Sequence, residues 1–358
     1  MKTFLFPGQG SQARGMGGSL FDEYREWVRK ADEILGYSIR ELCLEDPQRE
    51  LNQTQFTQPA LYVVNALSYF KKIDESGQKP DYVAGHSLGE FNALLAAECF
   101  DFETGLTLVR KRGECMGRAS GGGMAAILNA GKEDIETILT ENGFTQIDLA
   151  NFNTPSQIVI SGPEDEIQRA QSLFNYGKVR FHRLNTSGAF HSRHMQPAKE
   201  EFDGALAKVN FSGCRIPVIA NFTARPYQDS DIAANLSNQL TGCVKWSESI
   251  QYLMGLGEMA FEEIGHGRVL TQMVDKIRKE TPPAQTATTN RTAPLLTADE
   301  KVRQWNQDHP VGTRVRSAII KDEVLETNSQ AVVLFGHRAA VYMKQYNGYF
   351  DLDEITPC

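Results

Sequence analysis

The sequence predicts an α/β fold: a large unit with a parallel sheet, a smaller unit inserted into it, and a β-rich domain at the C-terminal end. Three observations carry this. From the N-terminus, short apolar runs that stop at glycine or proline alternate with stretches of helical spacing, the grammar of a parallel sheet covered by helices. Between 122 and 186 the order becomes β-α-β-β-α-β, that of a ferredoxin-like unit. Past 298, β-branched and aromatic residues fall between turn signals.

Taken in order, "KTFLFPGQGSQ" reads as a strand running into a turn. In "TQPALYVVNALSYFKKI" the apolar positions 60, 61, 63, 64, 67 and 70 follow a helical period, with Pro59 in the first turn. "DYVAGHS" is a strand stopping at a glycine, and "LGEFNALLAAECF" a helix. The inserted unit reads as the strand "GGMAAILN", the helix "KEDIETILTEN", the strands "QIDLAN" and "SQIVISG", the helix "PEDEIQRAQSLFN" and the strand "KVRFHRLN". A helix after Pro197, the strand "IPVIAN", a helix near 231 to 240, the strand "MAFEEIG" and a helix from about 268 resume the larger unit. The expected organisation is therefore a large subdomain over 1–121 and 187–281, a small subdomain over 122–186, a Thr-, Ala- and Pro-rich linker over 282–298, and a small β-rich domain over 299–358.

Composition narrows the function. The 358 residues are 41% hydrophobic and 23% charged, enough for a sizeable core. A net charge of −8 and the lack of a Lys/Arg cluster argue against nucleic acid as a partner. The N-terminus is too short in apolar residues for a signal peptide, and no run is long enough to cross a membrane. The six cysteines are scattered without a CxxC pair, so they read as reduced thiols of a cytoplasmic protein, with no metal site and no bound cofactor expected.

Chemistry enters at "AGHSLGEF". GxSxG between a strand and a helix is a nucleophile elbow, as in α/β-hydrolase-like folds. Its glycines permit the sharp turn that exposes Ser87 at a helix N-terminus, where backbone N–H groups favour a developing oxyanion. Serine needs a general base. Of seven histidines, His86 adjoins the nucleophile and points elsewhere, His182 falls inside a strand, and His309 and His337 lie past the linker. His191 in "SGAFHSRHM" and His266 in "EIGHGRVL" both sit at strand-to-helix turns, and residue chemistry alone leaves both open. In the helix "FETGLTLVRKRGECMGRA", Leu106, Val109, Gly113 and Met116 form one stripe, while Arg110, Lys111, Glu114 and Arg118 gather opposite. Arg112 falls beside the apolar stripe, about 145° from the centre of the charged face. A guanidinium there is costly unless paired, so it reads as a snorkelling arginine, as an internal ion pair, or as a bidentate clamp for a substrate carboxylate.

"FPGQGSQ", "TQPAL", "GHSLGE", "KRGE", "GGMAAI", "AFHS" and "VKW", in this order and spacing, resemble the malonyl-CoA:acyl-carrier-protein transacylases over residues 1–281. The likeness is strongest to the free-standing acyltransferases that serve polyketide synthases. The resemblance implies Ser87 as nucleophile and His191 as base, held by the main-chain carbonyl of Gln239 rather than by an acid. It implies Gln9 and Leu88 as the oxyanion-hole amides. Arg112 becomes the malonyl-binding arginine, and Phe190, Met116 and Gln58 its companions in the acyl pocket. A bulky "AFH" goes with malonyl in related enzymes, and this sequence departs from many of them in having Gly188 in place of histidine. Glu90, just after the elbow, reads as a first-turn carboxylate favoured by the helix dipole.

The implied reaction is ping-pong transfer of malonyl from malonyl-CoA to the phosphopantetheine thiol of an acyl carrier protein, serving polyketide or, alternatively, fatty-acid synthesis. A thioester hydrolase clearing carrier proteins is a rival, which Arg112 disfavours because simple acyl groups carry no carboxylate. An esterase using His266 lacks an "HGGG"-like stretch. A docking module built on the C-terminal domain, with Tyr342, Tyr346, Tyr349 and Phe350 close together, is a rival of another class.

Overall fold

The computed structural model describes residues 1–281, 298–317, 324–334, 338–344, 346, 349–352 and 355–358. It comprises two compact units, Met1–Gln285 and Thr286–Cys358. The linker proposed from sequence lies outside the described residues except for its last position, and so does His337.

Eight strands build the first unit: β1 Lys2–Phe6, β2 Tyr82–Gly85, β3 Gly122–Leu128, β4 Asp148–Thr154, β5 Gln157–Pro163, β6 Arg180–Arg183, β7 Val218–Ile219 and β8 Ala260–Glu263. Four of them form a parallel sheet in the order β7-β2-β1-β8. The three strands β7, β2 and β1 are largely buried on both faces, as a sheet covered on both sides requires, whereas the edge strand β8 carries Glu262 and Glu263 and is only partly buried. Phe4, Phe6 and Val83 face a core shared with the helices Thr54–Ser76, Gly89–Ala96 and Phe102–Gly117. Leu5, Ala84 and Ile219 face Trp246, Ile250, Leu270 and Val274 on the helices Trp246–Gly255 and Val269–Glu280.

The helix Thr54–Ser76 is buried from Ala60 to Leu67, too apolar to show a clean stripe, and it ends at Gly77 in a left-handed cap with φ 63°. Asp101 caps the helix Phe102–Gly117, its carboxylate accepting from the Thr104 N–H at 2.8 Å. The small subdomain is an antiparallel sheet in the order β4-β5-β3-β6, the ferredoxin-like arrangement. One face, with Ala125 and Ile127, packs on the helices Lys132–Glu141 and Glu164–Ala170. The other, with Met124, Ala126 and Val159, joins the core of the large subdomain. Main-chain bonds Phe152 N to Val244 O and Val244 N to Ala150 O, both 2.9 Å, tie the two together.

The second unit contains β9 Arg314–Ser317, β10 Val324–Glu326, β11 Val332–Leu334, β12 Arg338–Tyr342, β13 Tyr349–Asp351 and β14 Ile355–Pro357. They form two antiparallel sheets, β10-β9-β14 and β11-β12-β13, around Val315, Leu325, Val341 and Met343. The structure adds a helix, Ala298–Asp308, that takes the last linker position and packs Val302 and Trp305 on this core. Of the aromatic group noted above, Phe350 is buried against Tyr346 and Tyr342 is exposed. Among the described residues no helix is long and apolar enough to cross a membrane, and no His/Cys/Asp/Glu cluster could hold a metal ion.

Candidate active site

Ser87 follows β2 with φ 51°, a left-handed conformation that a residue with a Cβ adopts only under constraint. The constraint is close packing of the chain on itself. A Cβ on Gly85 would lie 1.9 Å from Gly89 C, and one on Gly89 would lie 2.0 Å from Phe6 O. Both glycines of GxSxG are thus required by backbone contact. Gly89→Ala is expected to lower unfolding stability by about 3 kcal/mol, the upper range for overpacking; an unchanged thermal melt would contradict this packing.

The structure brings His191, not His266, to the serine. Ser87 Oγ and His191 Nε2 are 2.8 Å apart, and His191 Nδ1 lies 2.7 Å from the main-chain carbonyl of Gln239. That carbonyl can only accept, so Nδ1 carries the proton and Nε2 is free to accept from the hydroxyl. His191 is itself in a left-handed conformation, φ 57°. Its loop is pinned to the small subdomain by Arg193, whose guanidinium meets Asp148 through Nε at 2.9 Å. Burial, with the Arg112 charge added to it, pushes the His191 imidazole down to about 3. His266 occupies the turn after β8 and makes no hydrogen bond to Ser87. His86 points away, its Nε2 2.8 Å from Asn153 Oδ1 and its ring edge-on to Trp246. His182 lies on β6 and is exposed.

Gln9 and Leu88 present main-chain N–H groups that have no acceptor among the described residues. The loop carrying Gln9 abuts the elbow: a Cβ on Gly8 would lie 2.2 Å from His86 O and 3.5 Å from Leu88 N. Two unused donors therefore lie on the two segments that meet at the elbow of Ser87, and an oxyanion hole would use such a pair.

Arg112 is 1% exposed, and no carboxylate lies within ion-pair distance of it among the described residues. Its Nη1 donates to Gln58 Oε1 at 2.7 Å, and its Nη2 to Gln239 Oε1 at 2.7 Å and Ser87 Oγ at 3.2 Å. Nε is buried without a partner, and the Phe91 ring lies 5.7 Å from the guanidinium carbon. Burial lowers the group to about 10, which leaves it cationic at neutral pH. Met116 accepts from Gln58 Nε2 through its sulfur at 3.3 Å, fixing the amide that serves Arg112. Phe190 is buried beside Gly188, where a Cβ would come within 3.0 Å of its ring and 2.9 Å of Ala119 Cβ. The small residue at 188 lets this ring sit where it does.

Glu90 is the first-turn carboxylate the sequence suggests, and the structure adds that it is buried. It occupies the first turn of the helix Gly89–Ala96 but is 1% exposed. Oε1 accepts from the Asn221 N–H at 2.9 Å and the Tyr227 hydroxyl at 2.7 Å, and Oε2 accepts from Gln239 Nε2. Burial raises it to about 7 against the lowering effect of these donors. The first turn of this helix faces the interior, so the position that usually looks outward looks into the site. Asn221 was not singled out from sequence. Its Oδ1 accepts from the Ser87 N–H at 2.7 Å and its Nδ2 donates to Gly85 O at 2.6 Å, bracing the elbow. Its one sequence signal is a polar residue just past the strand "PVIA" at the edge where α/β sites collect.

The sequence matches the family model of the acyl transferase domain over residues 3–312. The polyketide biosynthesis malonyl CoA-acyl carrier protein transacylase BaeC of Bacillus velezensis is 54% identical over 283 residues, covering 78% of this chain and 98% of BaeC. The polyketide biosynthesis protein PksE of Bacillus subtilis is 54% identical over 285 residues, 79% of this chain, and the chain spans 37% of its length. A solved malonyl CoA-acyl carrier protein transacylase from Burkholderia pseudomallei has a TM-score of 0.78 at 55% identity, covering 79% of this chain and 99% of that one. With its GxSxG elbow, its Ser87–His191 pair and these relatives, the chain is an acyltransferase and belongs to the malonyl-CoA:acyl-carrier-protein transacylase family.

Proposed function

We propose that the protein moves a malonyl group from malonyl-CoA, through an ester on Ser87, to the phosphopantetheine thiol of an acyl carrier protein in polyketide biosynthesis, acting in trans. The observation that carries this is the buried Arg112 cation, 3.2 Å from Ser87 Oγ and met only by neutral oxygens. A buried cation that no carboxylate touches, with Glu90 acting on it only from the far side of the Gln239 amide, fits a site that receives an anion with its substrate. Malonyl carries a carboxylate two bonds beyond its reacting carbonyl, short enough to meet a guanidinium beside the nucleophile. The polyketide setting and the carrier protein are taken over from BaeC, of which the chain covers 98%.

His191 accepts the Ser87 proton as Oγ adds to the thioester carbonyl. The Gln9 and Leu88 N–H groups stabilise the oxyanion, and collapse expels coenzyme A thiolate, which takes the proton from His191. The carrier thiol then gives its proton to His191 and adds to the ester carbonyl. Collapse frees Ser87, which regains the proton. A groove of about 750 Å³ runs to His191 past Lys132, Phe152, Arg193 and Cys243 and offers a path for a pantetheine arm. A thioester hydrolase acting on simple acyl groups would have no carboxylate for this guanidinium to bind.

The test supplies labelled malonyl-CoA with and without a phosphopantetheinylated carrier protein. Label on the carrier is expected, with slow release of free malonate in its absence; fast hydrolysis and no transfer would overturn the reading. A second expectation concerns pH. Because His191 stays neutral to about 3, Ser87 should react with an uncharged fluorophosphonate at pH 5 within about twofold of its pH 7 rate. An ordinary imidazole would be largely protonated there. A rate that titrates away near 6.5 would contradict the buried-base geometry.

A further inference from the structure

Glu90 lies one step removed from the reacting atoms, and the mechanism above does not use it. The side chain of Gln239 links it to the site. Both hydrogens of Gln239 Nε2 are engaged, one by Ser87 O at 2.9 Å and the other by Glu90 Oε2. The amide oxygen is left facing Arg112 Nη2 at 2.7 Å. The same residue's main-chain carbonyl orients His191. We propose that Glu90 is a positioning residue for acyl selectivity, holding the Gln239 amide in the one orientation that gives Arg112 an acceptor and keeps its guanidinium beside Ser87. The inference rests on the proposed malonyl transfer and adds to it the residue that sets the carboxylate clamp.

A glutamine at position 90 makes the argument sharp. The Asn221 main-chain N–H can only donate, so the new amide must turn its oxygen there and its NH2 towards Gln239. If Gln239 stays, two donors meet. If it flips, its NH2 faces the guanidinium and its oxygen faces Ser87 O. Neither arrangement satisfies the site, although volume and shape are conserved, so Arg112 loses its fixed placement.

The experiment measures acylation of Ser87 by malonyl-CoA and by acetyl-CoA on the full chain, with KM and kcat resolved. Glu90→Gln should lower malonyl kcat/KM by roughly tenfold to a hundredfold, mainly through KM, the range for one charge-assisted hydrogen bond, and acetyl transfer by a clearly smaller factor. In an Arg112→Ala background the same substitution should change malonyl acylation by less than about twofold, since its route is gone. An unchanged malonyl KM, an equal loss with both donors, or additivity with Arg112→Ala would overturn the inference. Should Glu90→Gln fail to fold, Gln239→Leu decides, because it removes the amide and keeps the carbonyl for His191. Loss of malonyl preference supports the inference, and retention overturns it. Wild-type protein without a malonyl ester would instead bring down the functional reading beneath it.

Discussion

Replacing Ser87 with alanine is expected to abolish malonyl transfer, lowering turnover by on the order of 10⁶-fold, the scale seen when a serine enzyme loses its nucleophile. The reason is local. Oγ reaches His191 Nε2 at 2.8 Å, and it projects from the elbow on which Leu88, whose N–H has no acceptor among the described residues, follows directly. The substitution removes a hydroxyl from a residue whose backbone is held by Asn221 and by the glycine contacts, so the fold should survive. Stopped-flow release of coenzyme A, read beside a thermal melt, checks both halves. Turnover within tenfold of wild type would show that another group carries the acyl chain.

Arg112→Ala is expected to act chiefly on the choice of acyl group, with a smaller effect on the serine, whose Oγ accepts from Nη2 at 3.2 Å. Malonyl acylation should fall by roughly 10²- to 10⁴-fold, the equivalent of two charge-assisted hydrogen bonds at about 1.5–3 kcal/mol each. Acetyl acylation should fall far less, because acetyl has nothing for the guanidinium to hold and only the guanidinium's contact with Ser87 Oγ is lost. The variant also strands the amide oxygens of Gln58 and Gln239 in a dry site, so some stability is lost as well. Comparison of kcat/KM for the two donors separates the effects; equal losses would remove the carboxylate-clamp role.

What the sequence made legible was what local pattern controls. GxSxG exposes its chemistry because a strand, two obligatory glycines and a helix are contiguous. Helical periodicity put Arg112 beside an apolar stripe, and the structure finds it buried there. The pairing of Ser87 with His191 spans 104 positions, and residue chemistry alone could not separate His191 from His266. The carbonyl of Gln239 was beyond pattern altogether, since every residue carries one; only the family resemblance pointed to it. Glu90 does sit in the first helical turn, but its burial and its partners could not be read from pattern, because this helix is buried on all sides. Asn221, Tyr227 and the partners of the Gln239 amide come from distant segments and leave no periodic trace. In the second unit the helix Ala298–Asp308 escaped notice because its apolar contacts rest on Val302 and Trp305 within an otherwise charged and polar stretch.

The central claim is that Ser87 carries malonyl as an ester. It is tested most directly by mixing the protein with malonyl-CoA alone, quenching in acid within milliseconds to seconds, and mapping the modified peptide by mass spectrometry. The account predicts one malonyl group, on Ser87, formed before any carrier protein is added and absent from Ser87→Ala. Malonyl on another residue, or transfer to a carrier with no modified enzyme at any time point, would contradict it.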